Sequence, residues 1–156
     1  MKKKVTIKEA VDAYNILASL KLPKFDKSVR SVAIKNFAVL KSVVKGYEEF
    51  QESVKDKLFE DRKDEMSIVS ELRAKLAASK DRAEMMSVNH QIVSGHPEYL
   101  KLEEEYSQQL KEKGKETVEV EISAVEEDRW IDSLIAAEID FSPADINALG
   151  FMFENN

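Results

Sequence analysis

A chain of 156 residues, 43% hydrophobic and 35% charged, is long enough for a sizeable apolar core and too apolar for a disordered polymer. It has no cysteine, which excludes disulfides, thiolate metal sites and cysteine nucleophiles, and only four glycines and three prolines interrupt regular structure. The net charge of −6 is unevenly spread: residues 1–45 carry eleven Lys/Arg against Glu9, Asp12 and Asp26, whereas residues 46–156 carry thirteen against twenty-seven Asp/Glu. That asymmetry suits a polyanion-binding end or two surfaces that attract each other.

Met1–Lys4 is basic, like the start of a signal peptide. Lys8, Glu9 and Asp12 stand where the apolar run would have to be, so no such signal is expected. No stretch approaches the roughly eighteen uncharged residues that cross a membrane, and a soluble, cytoplasmic protein is the expectation. Thr6 and Glu9 form a capping-box pattern, which predicts a helix from Ile7. Ile7, Val11, Tyr14 and Ala18 share its apolar face, widened by Ala10 and Leu17, and Pro23 ends it.

Asp26 is placed to cap a long helix from Lys27 to about Leu58. Ala33, Leu40, Tyr47 and Val54 recur every seven residues, with Val43 and Phe50 as the alternate set. Such a helix would be roughly 48 Å long at 1.5 Å per residue, so its stripe predicts a comparably long companion, from this chain or a second copy. Leu40, Val43, Tyr47, Phe50 and Val54 are the candidate self-association seam. Lys27, Arg30, Lys35, Lys41 and Lys45 fall mostly off that seam and form, with Lys2–Lys4, a candidate polyanion contact. The competing explanation is an ordinary solvated helix surface.

Apolar residues lapse over Glu60–Ser67, which predicts a turn. Val69, Leu72, Leu76, Ala83, Met86 and Val93 then continue a seven-residue repeat in a third helix antiparallel to the second, with a candidate break at Ser79–Asp81. Gly95 stops it and Pro97 opens a fourth helix that runs to about Lys113, with Gly114 as its C-terminal cap. Tyr99, Leu102, Tyr106 and Leu110 are its core stripe. Lys115–Asp128 alternates: Val118, Val120, Ile122 and Ala124 point one way, and Thr117, Glu119, Glu121 and Ser123 the other. That predicts a half-buried strand over 117–124, expected to pair with a short segment at Glu138–Phe141 and to leave one edge open to another copy or a partner. Asp128–Phe141 reads either as helix or as turn and strand; Trp130 there is a core anchor or an interface residue. Ser142, Pro143, Asp145 and Gly150 bracket a short helix, and Phe151–Phe153 is an apolar anchor.

In the order of its features the chain resembles small phage and prophage proteins grouped as a domain family of unknown function. The segments that carry the resemblance are the N-terminal T-x-x-E helix, "LPKFDKSVRSVAIKNFAVLKSVVKGYEEF", "HPEYLKLEEEYSQQLKEKGKETVEVEI" and "FSPADINALGFMF", about two thirds of the chain. The resemblance implies a phage context, hence the bacterial host cytoplasm or the virion, and supplies no active residues.

Signatures of catalysis are weak. His90 and His96 are the only histidines and lack HExxH spacing; His90 is expected at a helix interface and His96 at a turn. Glu49 and Glu52 stand one turn apart, as in the EExxE helices of all-α nucleotide pyrophosphohydrolases, but the ExxD of the next helix is not found. There is no phosphate loop and no GxSxG. The expectation is a mainly α protein with minor β: one domain over 1–156, helical over 1–113 with a small strand-containing part over 114–156, built as an elongated bundle or hairpin of long helices. No catalytic, cofactor or metal residue is expected. Functionally it reads as a non-enzymatic assembly or adaptor protein that forms homo-oligomers, dimers first, through long coiled-coil-like helices, with a phage protein as a further partner and no membrane. The alternative is a nucleic-acid-binding accessory protein using the basic helix face.

Overall fold

The structure is a computed structural model that describes residues 1–154. It is mainly α with a small two-stranded sheet. In chain order the elements are β1 (Lys2–Thr6), α1 (Ile7–Ser19), a 3-10 turn (Leu22–Lys24), α2 (Lys27–Phe59), α3 (Lys63–Ala78), α4 (Arg82–Gly95), α5 (Pro97–Lys115), β2 (Thr117–Glu121), α6 (Glu127–Ala136), α7 (Pro143–Ala148) and a second 3-10 turn (Gly150–Met152). They form two compact units, one joining Met1–Glu49 to the chain from Lys113 onward and the other made of Phe50–Glu112.

In the first unit the partner of the strand predicted at 117–124 is the N-terminus. β1 and β2 run antiparallel, with Lys2 opposite Glu121, Lys4 opposite Glu119 and Val5 opposite Val118. Residues 138–141, expected to supply that partner, form no strand. The pairing follows from alternation in both segments. Val5 and Val120 are buried, while Lys2, Lys4, Glu119 and Glu121 lie exposed on the other face. There Lys2 Nζ is 3.1 Å from Glu119, and the terminal amino group is 2.6 Å from Glu121. Opposite charges across strands favour this register, weakly at such exposed positions. Ile122 N–H donates to the Met1 carbonyl and Ile7 N–H to that of Glu116, which extends the ladder at both ends.

α1 starts where expected. The Thr6 hydroxyl accepts from Glu9 N–H and the Glu9 carboxylate accepts from Thr6 N–H, a complete capping box. Its buried face is Ile7, Ala10, Ala13 and Leu17, rotated from the predicted one, and Ala18 is exposed. Val29, Ala33 and Leu40 of α2 join Trp130 and Leu134 of α6 and Leu149, Met152 and Phe153 in one core. Trp130 is fully buried, so it is a core anchor, and its ring packs edge-on against Phe25. Asn36, also fully buried, donates to the Ser123 carbonyl at 2.9 Å and accepts from Ser123 N–H at 2.8 Å, satisfying the backbone where β2 ends. Val125 then bridges to Phe153, which brings the last described residues into the core. Gly114 lies inside α5 with no left-handed conformation; it is buried where a Cβ would touch the Lys8 Cβ at 3.5 Å.

In the second unit the break at Ser79–Asp81 is real: α3 ends at Ala78, and Asp81 caps α4 through Ala83 N–H. The predicted repeat holds in α3, where Val69 is buried and Leu72 and Leu76 are half-buried. It fails in α4, where Val88 and Ile92 face the core while Ala83, Met86 and Val93 are exposed. A three-residue turn resets the helical phase, so a frame carried across it points the wrong way. Phe59, Val69, Val88, Ile92 and Tyr99 form this unit's core, flanked by half-buried Leu102 and Tyr106. Arg73 clasps Glu103 with two hydrogen bonds of 2.6 and 2.7 Å, linking α3 to α5.

Candidate functional site

The seam and the basic set of α2 part company in the structure. None of the five seam residues is exposed: Leu40 and Val54 are buried, and Val43, Tyr47 and Phe50 are half-buried. The chain itself covers Leu40 and Val54 and part of the other three, so it supplies much of the companion surface the stripe was expected to need. The basic residues lie on the opposite side of the helix. At 3.6 residues per turn, Lys27, Ile34, Lys41 and Lys45 fall on one line, with Arg30 and Lys35 to either side. The four lysines are exposed and Arg30 is half-buried. The Arg30 guanidinium donates to the Pro23 carbonyl at 3.4 Å. Among the described residues none of the four lysines makes an ion pair.

The face is continuous for a chemical reason visible in the chain: no Asp or Glu occurs between Asp26 and Glu48. Ser31, Ala38 and Ser42 separate the cations and are exposed. From Lys27 to Lys45 the patch runs about 27 Å at 1.5 Å per residue. Unpaired cations held this close raise one another's potential, which an anionic surface relieves. Lys2, grouped with them in the sequence reading, is instead paired with Glu119. Asp26 is consumed at the helix start: it accepts from Ser28 and, at 2.9 Å, from Arg129, and its carboxyl is held below the ordinary range by the Ser28 hydroxyl first and by Arg129.

The acidic counterpart was not singled out in the sequence. Glu126, Glu127, Asp128, Asp132, Glu138 and Asp140 are all exposed, and the one cation among them, Arg129, is held by Asp26. The signal was there as six acids in fifteen residues, but that stretch read as either helix or strand, so no face could be assigned to it. In α6, Trp130, Ser133 and Leu134 turn to the core, while Asp128, Asp132 and Ile135 share the outer face at i, i+4 and i+7. Ile135 is 70% exposed and Ile34 on α2 is 53% exposed.

The other candidates have structural duties. His96 ends α4 and lies 3.1 Å from Glu65, which Arg62 also binds. His90 is exposed, with Ser94 as its partner, and not at a helix interface. Glu49 and Glu52 are exposed. Among the described residues no group of three or more His, Asp and Glu is placed to hold a metal. An open cleft of about 500 Å³ lies between Ser19–Lys24 and Ala137–Ile139, with Lys21, Lys24 and Glu138 at its rim. Among the described residues no helix is long and apolar enough to cross a membrane. Compared with known proteins, the chain matches no family model, no curated protein and no solved structure.

Proposed function

We propose that this is a non-enzymatic assembly or adaptor protein that binds an anionic partner through the outer face of α2. One observation carries the reading: Lys27, Lys35, Lys41 and Lys45 stand exposed and, among the described residues, without ion pairs, with Arg30 beside them, on the side of α2 opposite its core residues. A solvated surface helix usually interleaves both signs of charge; here 21 consecutive residues, 27–47, contain none of the negative sign. A phage context, implied by the order of motifs, agrees with an assembly role and forms part of the proposal.

The test is retention on a sulfonate cation exchanger at neutral pH and low salt. A chain of net charge −6 should flow through unless a local patch holds it. The wild type is expected to be retained and released by salt, and Lys35→Glu with Lys41→Glu to flow through. Flow-through of both proteins would remove the reading. Alternatively, the face binds nucleic acid, whose signature is binding that weakens steeply as salt rises.

A further inference from the structure

We infer that the anionic partner of the α2 face is the α6 face of another copy of this chain, so that copies associate through unlike faces; this rests on the reading just given. The two faces match in three respects. One offers lysines and the other Asp128 and Asp132, at exposed positions that make no ion pair among the described residues. Each carries a single well-exposed isoleucine, Ile34 at 53% and Ile135 at 70%. The α2 face keeps small residues, Ser31, Ala38 and Ser42, between its lysines, which lets a second helix approach closely.

The isoleucines decide between classes of partner. Phosphate tracking uses charge and hydrogen bonding, and an exposed Ile34 adds nothing to it. That face also carries no aromatic residue for stacking and no Asn or Gln for reading bases. A helix with an apolar residue amid acids complements both features at once. The same molecule cannot satisfy itself, because α2 and α6 both turn their other sides, Val29, Ala33 and Leu40 against Trp130 and Leu134, into one core. Each copy therefore presents one face of each kind outward. A contact between unlike faces made once per pair leaves a free face at either end and extends into chains; the same contact made reciprocally about a two-fold axis closes a dimer.

Two helix faces bury less than the ~1,200 Å² of a stable interface, so the contact is weak and electrostatic. Light scattering should show this at about 50 mM salt and vanish near 0.5 M, where screening falls to a few ångströms. At low salt and near-millimolar protein the wild-type mass should rise at least twofold above 17.8 kDa, levelling off if the contact closes as a dimer and rising further if it does not. Lys35→Glu with Lys41→Glu should be monomeric, and so should Asp128→Lys with Asp132→Lys. The chain carrying all four changes should associate again, which also shows that the variants fold. A wild type that stays at 17.8 kDa at low salt overturns the inference, as does association unaffected by the α6 changes. If such a monomer is still retained on the exchanger, or shifts single-stranded DNA in a gel, the α2 face is a binding surface for something else. If it does neither, the α2 reading falls as well.

Discussion

The two units of this chain close their cores by different means. The first surrounds Trp130, Phe153, Leu40, Ile122, Leu149 and Met152 so fully that each is at most 1% exposed, and it adds the buried amide of Asn36 to hold the end of β2. The second relies on Phe59, Val69, Val88, Ile92 and Tyr99, and leaves Ile68, Met85, Met86 and Val93 exposed along α3 and α4. Surface ion pairs occur in both units, Arg129 with Asp26 and Lys2 with Glu119 in the first, Arg73 with Glu103 and Arg62 with Glu65 and Glu98 in the second. Exposed ion pairs contribute little, at the median about 0–1 kcal/mol, whereas burying one large apolar side chain contributes about 1.5–3 kcal/mol. The first unit has the larger buried core, so it is expected to be the more stable, and it carries both charged faces. A binding surface gains from standing on the element that does not give.

Core truncation should produce the largest contrast. Trp130→Ala is expected to cost about 3–5 kcal/mol and Ile92→Ala about 2–4 kcal/mol. Trp130 is the only tryptophan, so its fluorescence reports the first unit alone while circular dichroism reports both. Urea unfolding of Ile92→Ala should lose helix ahead of fluorescence. Coincident curves in that variant would mean that the two units melt as one.

Acid should act through named carboxylates. Glu65 is held below the ordinary carboxylate range by its hydrogen bond to His96 first and by Arg62 next. A group with a depressed folded-state value lends stability that is present above its unfolded value, about 4.5, and lost as pH falls through the folded value. Glu121 is lowered likewise by the terminal amino group. Melting temperatures measured from pH 6 down to 3 should fall less steeply in Glu65→Gln than in wild type. An unchanged slope would leave the His96–Glu65 contact without energetic weight.

The smallest effect expected is a gain. Glu138 has φ 54° where α6 ends, with Ile139 N–H bonded to the Leu134 carbonyl and Glu138 N–H to that of Ile135. This is a helix-ending motif whose left-handed residue is ordinarily glycine. Glu138→Gly should stabilise the first unit by about 0.5–1 kcal/mol, the left-handed cost of a residue with a Cβ less the extra backbone entropy of glycine, read by tryptophan fluorescence. A loss instead would show that the Glu138 side chain contributes more than its backbone costs.

Local signals in the sequence located most elements. The Thr6–Glu9 box, Asp26 before α2, Pro97 at the start of α5 and the Ser142 cap of α7 are short-range chemistry, and each stands where it was read. The strand partner was missed because pairing is non-local: β1 carries only Val5 as a buried side chain, and three lysines disguise its alternation. Once Glu119 and Glu121 stand opposite, the same lysines read as a cross-strand match. The phase of α4 was missed because Ser79–Asp81 resets it. The basic face was legible, since it needs only a helix and a count of charges. Its acidic counterpart was not, because the outward side of α6 depends on Trp130 and Leu134 facing a core assembled from distant segments.

The proposed association brings α2 of one copy against α6 of another through their outward faces. The direct measurement is a concentration series of amide NMR spectra at low salt. Shifts or broadening should gather at Lys35–Lys41 and Asp128–Ile135, and disappear at high salt. Changes centred on Met86 and Val93, the exposed apolar line of α4, would place association in the second unit, and an invariant spectrum would leave the two charged faces without each other.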